Sequence, residues 1–275
     1  METGQKIIQK KNNIADSIYE LSIQVNLNGL SFFVLNTMDS KIEVLKSISF
    51  DKKQSPKALL DQLKHSFNSL KELRKSFGKV IVIHDNELAT LVPKPLFDET
   101  NLVDYLKFNT KILKTDFITY DSLSIEDIKV VYVPLVNINN FIFERFGSFE
   151  YKHSATVLLN RLLTLEKNSK SLKMYLNIEN SHFELCVVEN NNLKFYNRFE
   201  YSTKEDFIYY LLFTAEQLQL NPEEFPAVLM GSVDKNDDLF KIAYKYVRHV
   251  SLLPQDAMLY SKDSSSKHFT LLNSL

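Results

Sequence analysis

The sequence predicts an α/β protein of two lobes with the same topology, each built on a β-β-β-α-β core. Three observations predict it. Residues 21–50 read as three short strands joined by tight turns, with a long amphipathic helix after them. Residues 173–201 repeat that plan about 150 residues further on, again with a helix behind. A short apolar strand then closes each copy, the β-branched KVIVIH at 79–84 and AVLM at 227–230. The division expected is a first lobe over residues 1–150 and a second over 151–275, with a cleft between them.

The first lobe can be justified element by element. Leu21, Ile23, Val25 and Leu27 alternate with Ser22, Gln24 and Asn26, the period of a strand with one face buried. Asn28-Gly29 follows, a hairpin signal, because a type I′ turn needs φ > 0 at both central residues. Residues 30–36 return, Asp39-Ser40 turn again, and Ile42, Val44 and Ile48 carry a third strand to Phe50. Ser55-Pro56 opens a helix, serine as cap and proline in the first turn. Leu59, Leu60, Leu63, Phe67, Leu70 and Leu73 form its apolar stripe, and Gly78 is expected to end it in the left-handed region. The run 79–84 is expected to be a central strand. Beyond it the pattern gives a strand over 88–92, a helix over 100–109, strands over 117–120 and 129–133, and a short helix over 139–146 ended by Gly147.

The second lobe opens with a helix from Ser154 carrying Val157, Leu158, Leu162 and Leu165. Strands are expected over 173–178, 183–188 and 193–201. The middle turn, Asn190-Asn191-Asn192, suits asparagine's tolerance of the left-handed region. Ser202 or Thr203 caps a helix over 204–218, with Glu205 and Asp206 complementing its dipole. A strand over 227–230, a helix over 236–246 and a strand over 249–253 follow. Residues 1–15 are expected to fray, 261–267 (SKDSSSK) to form a mobile loop, and 268–275 to dock back as a helical turn.

Composition narrows the function classes. A net charge of −1 with no strong basic block gives no sign of a nucleic-acid partner. No apolar run nears the ~20 residues of a membrane span, and QKIIQKKNNIAD at 5–16 is too polar for a secretory leader. Cys186, the one cysteine, lies in a strand pattern and reads as a buried, inert thiol; cytoplasmic residence is the expectation. The chain has five glycines, where average usage would give about nineteen. No two lie close enough to form a phosphate-cradling G-x-G-x-x-G or G-x-x-x-x-G-K-[ST] loop.

The duplicated order, together with LSIQVNLNGLSFFVL near the start, FEYKHSATVLLNRLL in the middle and MYLNIENSHFELCVVENNNLKFYNRFEY after it, carries a resemblance. The chain resembles the actin-like ATPase fold (ribonuclease H-like) of actin, sugar kinases, heat-shock chaperones and bacterial pilus-assembly proteins. It is also similar to an uncharacterised bacterial domain-of-unknown-function family, number 3822. In ATPases of this fold, the first hairpin of each lobe follows a metal-holding Asp and cradles phosphate. The resemblance places the first such position at 26–28, with the loop reduced to Asn28 and Gly29. The second falls at 177–180, with Glu179 and Asn180 and no glycine. The adenosine-binding glycine pair is reduced to Gly231 and Ser232. These six residues would meet a nucleotide only if one binds. The resemblance therefore implies no catalytic residue, no metal ligand and no cofactor, with ATP and Mg²⁺ as the alternative.

Other chemistry is sparse. His182 and Cys186 are four apart on a strand, roughly 13 Å, too far to share a metal. His84-Asp85 ends a strand and His153-Ser154 precedes a helix; a hydrolase or transferase would need a third group and an oxyanion hole beside either. A strand terminus and a helix cap are the preferred readings. Aromatic residues crowd 195–213 and recur at Tyr244, Tyr246 and Tyr260. Most fill core, and the excess suits a protein-binding surface. The function expected is a non-catalytic scaffold or interaction module with a protein partner. The alternative is a nucleotide-binding, ATPase-like regulator with weak or no hydrolysis.

Overall fold

In the computed structural model, residues 18–254 and 266–275 are described. The expectations for 1–15 and 261–265 lie outside them. Strands β1 (Tyr19–Asn26), β2 (Gly29–Asn36) and β3 (Lys41–Ser49) form an antiparallel meander, followed by helix α1 (Pro56–Ser69) and strand β4 (Lys79–His84). An excursion comes next: β5 (Ala89–Pro93), α2 (Leu102–Leu106), β6 (Thr119–Ser122) and β7 (Ile128–Tyr132). Helix α3 (Val136–Phe146), β8 (Glu150–His153) and α4 (Ser154–Leu165) lead to the second meander of β9 (Lys173–Ile178), β10 (His182–Glu189) and β11 (Asn192–Glu200). Then come α5 (Lys204–Gln217), β12 (Pro226–Gly231), α6 (Asp238–Tyr246), β13 (His249–Leu252) and α7 (Phe269–Leu272).

The two large sheets have one topology. The first runs β3-β2-β1-β4-β8, the second β11-β10-β9-β12-β13. In each, the first strand pairs antiparallel with the second and parallel with the fourth, and the fourth pairs parallel with the fifth. The parallel strands end together, so their carboxyl ends collect loops and helix starts, the usual place for a site in such sheets. The chain divides into two units: residues 1–157 with 270–275, and residues 158–269, the boundary falling inside α4.

In the first unit, Leu21, Ile23 and Val25 of β1 turn one face onto α1 and α3, packing with Leu59, Leu63, Phe67, Ile138 and Ile142. Ser55 accepts the Ala58 N–H and Pro56 opens α1, as its sequence dictates. Burying each of the large apolar side chains of α1 contributes about 1.5–3 kcal/mol. The second unit repeats the plan, with Met174, Leu176, Phe183 and Leu185 under Phe207, Leu211 and Ala215 of α5. Thr203, not Ser202, caps α5: its hydroxyl accepts the Asp206 N–H while Asp206 accepts the Thr203 N–H.

Four local expectations differ from what the chain does. Strand β8 pairs with β4 within 150–153, where only a helix approach was read; its four residues are too few for a period-two signal. The excursion forms a third sheet, β5-β7-β6, with its own core of Val92, Leu106, Val131 and Val133. Helix α1 stops at Ser69, a 3-10 turn follows at Lys71–Arg74, and Gly78 does not adopt positive φ. The first hairpin is closed by Leu27-Asn28, with Asn26 paired to Gly29, and none of these residues has positive φ. Glycine is needed at 29 for a different reason: a Cβ there would lie 2.7 Å from the Ile48 carbonyl oxygen of β3.

Candidate functional site

In the first unit, the carboxyl ends of β1 and β4 meet the start of α4 in a buried polar cluster. Asp85, directly after β4, is nearly inaccessible. Its Oδ2 accepts from Asn26 Nδ2 at 2.9 Å and Gln24 Nε2 at 3.3 Å, its carbonyl accepts from Asn26 Nδ2 at 3.0 Å, and Ser154 Oγ reaches Oδ1 at 3.5 Å. Asn26 is thus fully used, because its Oδ1 accepts the Asn28 N–H at 2.7 Å. The turn is pinned further from outside: the Phe50 N–H donates to the Asn28 carbonyl and the Gln54 N–H to the Leu27 carbonyl. Leu27 and Asn28 therefore close a hairpin, with Gly29 already in β2, and the Asn28 N–H is spent on the chain's own Asn26 side chain.

A second buried carboxylate stands at the same helix start. Asp121 of β6 accepts the His153 N–H at 2.8 Å, Thr156 Oγ1 at 2.8 Å and the Tyr132 hydroxyl at 3.3 Å. It caps α4 from across the unit, where the helix dipole favours negative charge. Burial, and then the Asp121 charge, holds the Tyr132 phenol well above its ordinary range. The sequence reading passed over Asp121. The signal for it is an aspartate inside the strand pattern ITYDSL, since a carboxylate there is retained only with donors around it.

Both histidines of the cluster are locked. The Leu135 N–H donates to His84 Nδ1 at 3.2 Å, so the His84 proton sits on Nε2 and donates to Asn139 Oδ1 at 2.9 Å. Burial, partly countered by the Asn139 bond and deepened by nearby His153, lowers the His84 pKa to about 3. His153 repeats the tautomer, its Nδ1 accepting the Ala155 N–H at 3.1 Å and its Nε2 donating to the Asn86 carbonyl at 3.1 Å. Neither imidazole offers a lone pair to a substrate, which removes the general-base role that a hydrolase or transferase would ask of it. Asn86 also donates to the Val133 carbonyl and accepts the Leu88 N–H, clamping the two ends of the small-sheet excursion.

In the second unit the equivalent strand ends are β9 and β12. Glu179 begins a tight turn, its N–H donating to the His182 carbonyl at 2.9 Å and its carbonyl accepting the Tyr201 hydroxyl at 2.7 Å. Asn180 sits exposed at the tip. Burial, then the Glu179 and Asp237 charges, pushes the Tyr201 phenol up to about 12. Gly231 has φ +84°, and a Cβ on it would lie 2.2 Å from the Ile178 carbonyl oxygen. The Ser232 N–H donates to that same carbonyl at 2.7 Å. Gly231 and Ser232 are thus brought against the end of β9 beside Glu179, and the glycine serves contact between two stretches of backbone.

Two buried carboxylates of this unit accept hydrogen bonds from its own side chains. Glu184 accepts from Asn177 Nδ2 at 2.9 Å and the Tyr196 hydroxyl at 2.7 Å. Glu166 accepts from Lys173 Nζ at 2.9 Å and the Tyr175 hydroxyl at 2.5 Å. Burial and the Glu184 charge push the Cys186 thiol well up, so it stays a thiol, as expected of an inert one. Among the described residues, no three His, Cys, Asp or Glu side chains are grouped to hold a metal ion. No helix among them is long and apolar enough to cross a membrane. The aromatic excess does reach the surface: on α5 Tyr209 stacks on Phe213, on α6 Phe240 stacks on Tyr244, and Tyr209, Phe213, Tyr244 and Tyr246 are exposed.

Solved structures share this arrangement. A Bacteroides thetaiotaomicron protein with actin-like ATPase fold and unknown function superposes with a TM-score of 0.76 over 86% of this chain and 91% of its own, at 23% identity. A PilM–PilN type IV pilus biogenesis complex gives a TM-score of 0.57 over 92% of this chain and 93% of the matched one, at 12% identity. The fold is therefore the actin-like ATPase fold, expected from the duplicated strand order. No curated protein matches the chain. The family model described as "Protein of unknown function (DUF3822)" matches residues 8–250, and the chain belongs to that family.

Proposed function

We propose that this protein is a non-catalytic scaffold or interaction module that keeps the actin-like ATPase fold with its nucleotide loops closed. The observation that carries the reading is the use of backbone donors at the strand ends. The Asn28 N–H goes to Asn26 Oδ1 and the Ser232 N–H to the Ile178 carbonyl. A magnesium nucleotide needs free amides for its phosphates and a carboxylate for the metal's water shell. At 26 the chain has an amide whose NH₂ is bonded to Asp85. The residues at these positions do not fit a magnesium nucleotide. The exposed stacked aromatics of α5 and α6 support a protein partner, and the PilM relative is itself solved in a complex with PilN. Cytoplasmic residence belongs to the same reading.

Calorimetric titration of the full chain with ATP and Mg²⁺ tests it, and the expected result is no heat of binding. Micromolar binding that disappears on changing Asn28 or Glu179 would overturn the scaffold reading. Asn28, Gly29, Glu179, Asn180, Gly231 and Ser232 would then be the contact residues of a nucleotide-binding regulator.

A further inference from the structure

We propose that the loop over residues 107–115, beside the small sheet of the first unit, docks the protein onto an anionic lipid surface. Two independent features meet there. Phe108 is 83% exposed and Leu113 62% exposed, large apolar side chains held out in water. Around them stand Lys107, Lys111 and Lys114 with no acidic residue between 105 and 115, in a chain whose net charge is −1. Lys107 is paired with Asp104 at 2.9 Å, and its Nζ lies 4.9 Å from the Phe108 ring centroid. Lys111 and Lys114 form no ion pair among the described residues. Asp116, the next acid along, is turned into the loop, its Oδ2 accepting the Leu113 N–H at 2.8 Å.

The loop is presented by a fixed base. Leu106 is fully buried, Ile112 packs on the small-sheet core, and the Asn109 and Thr110 N–H groups both donate to the Leu106 carbonyl. With Leu106 and Ile112 inward, Phe108 and Leu113 are left outward. Single protruding apolar side chains suit a bilayer interface, which accepts an aromatic ring without a preformed pocket. The lysines beside them reach headgroup phosphates while their stems stay along the acyl boundary. A protein partner would need a matching pocket for each side chain, so lipid is the occupant that the chemistry favours.

Sedimentation of the full chain with vesicles tests this. The chain should pellet with phosphatidylcholine–phosphatidylglycerol vesicles, stay in solution with phosphatidylcholine alone, and be released by added salt. The double variant K111E/K114E should lower the partition constant by roughly 30-fold or more, the effect of losing two lysine contacts at the surface. F108S/L113S, which leaves the charge unchanged, should lower it by at least about tenfold. Both variants should keep the wild-type circular-dichroism melt, since all four side chains lie at the surface. Equal partition onto neutral vesicles, no partition at all, or partition indifferent to both variants would overturn the proposal. So would retention on an acidic protein surface without retention on vesicles.

Discussion

Asn26 ends β1 beside the buried Asp85, and its surroundings explain why an amide is required there. Its NH₂ donates to Asp85 and its carbonyl accepts the Asn28 N–H. Placing an acid there by Asn26→Asp would set two carboxylates about 3 Å apart in a nearly dry site and remove a donor. The expected loss is about 1–3 kcal/mol at neutral pH. It should shrink in acid, because one carboxyl can then take up a proton and donate. A urea titration at pH 7 and pH 5 checks both halves; a loss that did not depend on pH would argue against carboxylate repulsion. His84 makes a second prediction. Its folded pKa of about 3 lies below the ordinary 6.5, so the unfolded chain binds the proton first. Stability is complete above about pH 6.5 and declines as pH falls toward 3, by up to about 1.4 kcal/mol per pH unit from this group. In His84→Gln the slope between pH 6 and 4 should flatten, whatever the variant's own stability.

At the scale of elements, the two meanders show what a sequence states and what it leaves open. Alternation identified β1, apolar runs bounded by turn residues marked the other meander strands, and the helices after them followed from caps and stripes. The Asn190-Asn191 turn was also read rightly: φ is +52° and +62° there, the left-handed pair that joins β10 to β11. Asn28-Gly29 looked like the stronger signal, yet the register moved by one residue, since the approach of the Ile48 carbonyl to Gly29 is a tertiary contact that no dipeptide rule contains. A lost nucleotide site was expected from the missing glycines and metal carboxylate, while the bonds that occupy the Asn28 and Ser232 N–H groups are visible only in three dimensions. The hairpins therefore respond differently to glycine. Asn191→Gly relieves a left-handed asparagine and should be neutral or stabilising by about 0.5 kcal/mol or less. Asn28→Gly adds unfolded-chain freedom at a residue without positive φ and should cost about 0.5–1 kcal/mol or more. Opposite signs in urea unfolding are the outcome to look for; equal signs would contradict the turn geometry.

For the whole molecule, what the sequence could not announce is how distant segments share a core. Asp121 of the excursion caps α4, and the last six residues belong to the first unit although 112 residues of the second (158–269) precede them. The reason is physical: short apolar stretches such as 268–275 carry no periodicity long enough to say where they pack. Ser22 lies on the β1 face opposite Leu21 and Ile23, and its hydroxyl meets the Ser274 hydroxyl at 2.7 Å, fully shielded. Ser274 Oγ also donates to the Leu271 carbonyl at 2.7 Å, and Leu271 and Leu272 have no exposure. Two buried leucines contribute about 1.5–3 kcal/mol each, before any hydrogen bond is counted. Removing Thr270–Leu275 should therefore lower stability by several kcal/mol and expose Ser22 and its face of β1. Leu271→Ala and Leu272→Ala should each cost about 2–5 kcal/mol. Hydrogen exchange of the truncated chain gives the decisive reading. The amides of β1 and β4 should lose protection while those of β9 and β10 keep theirs; uniform loss, or none, would mean that the segment is not part of the first unit's core.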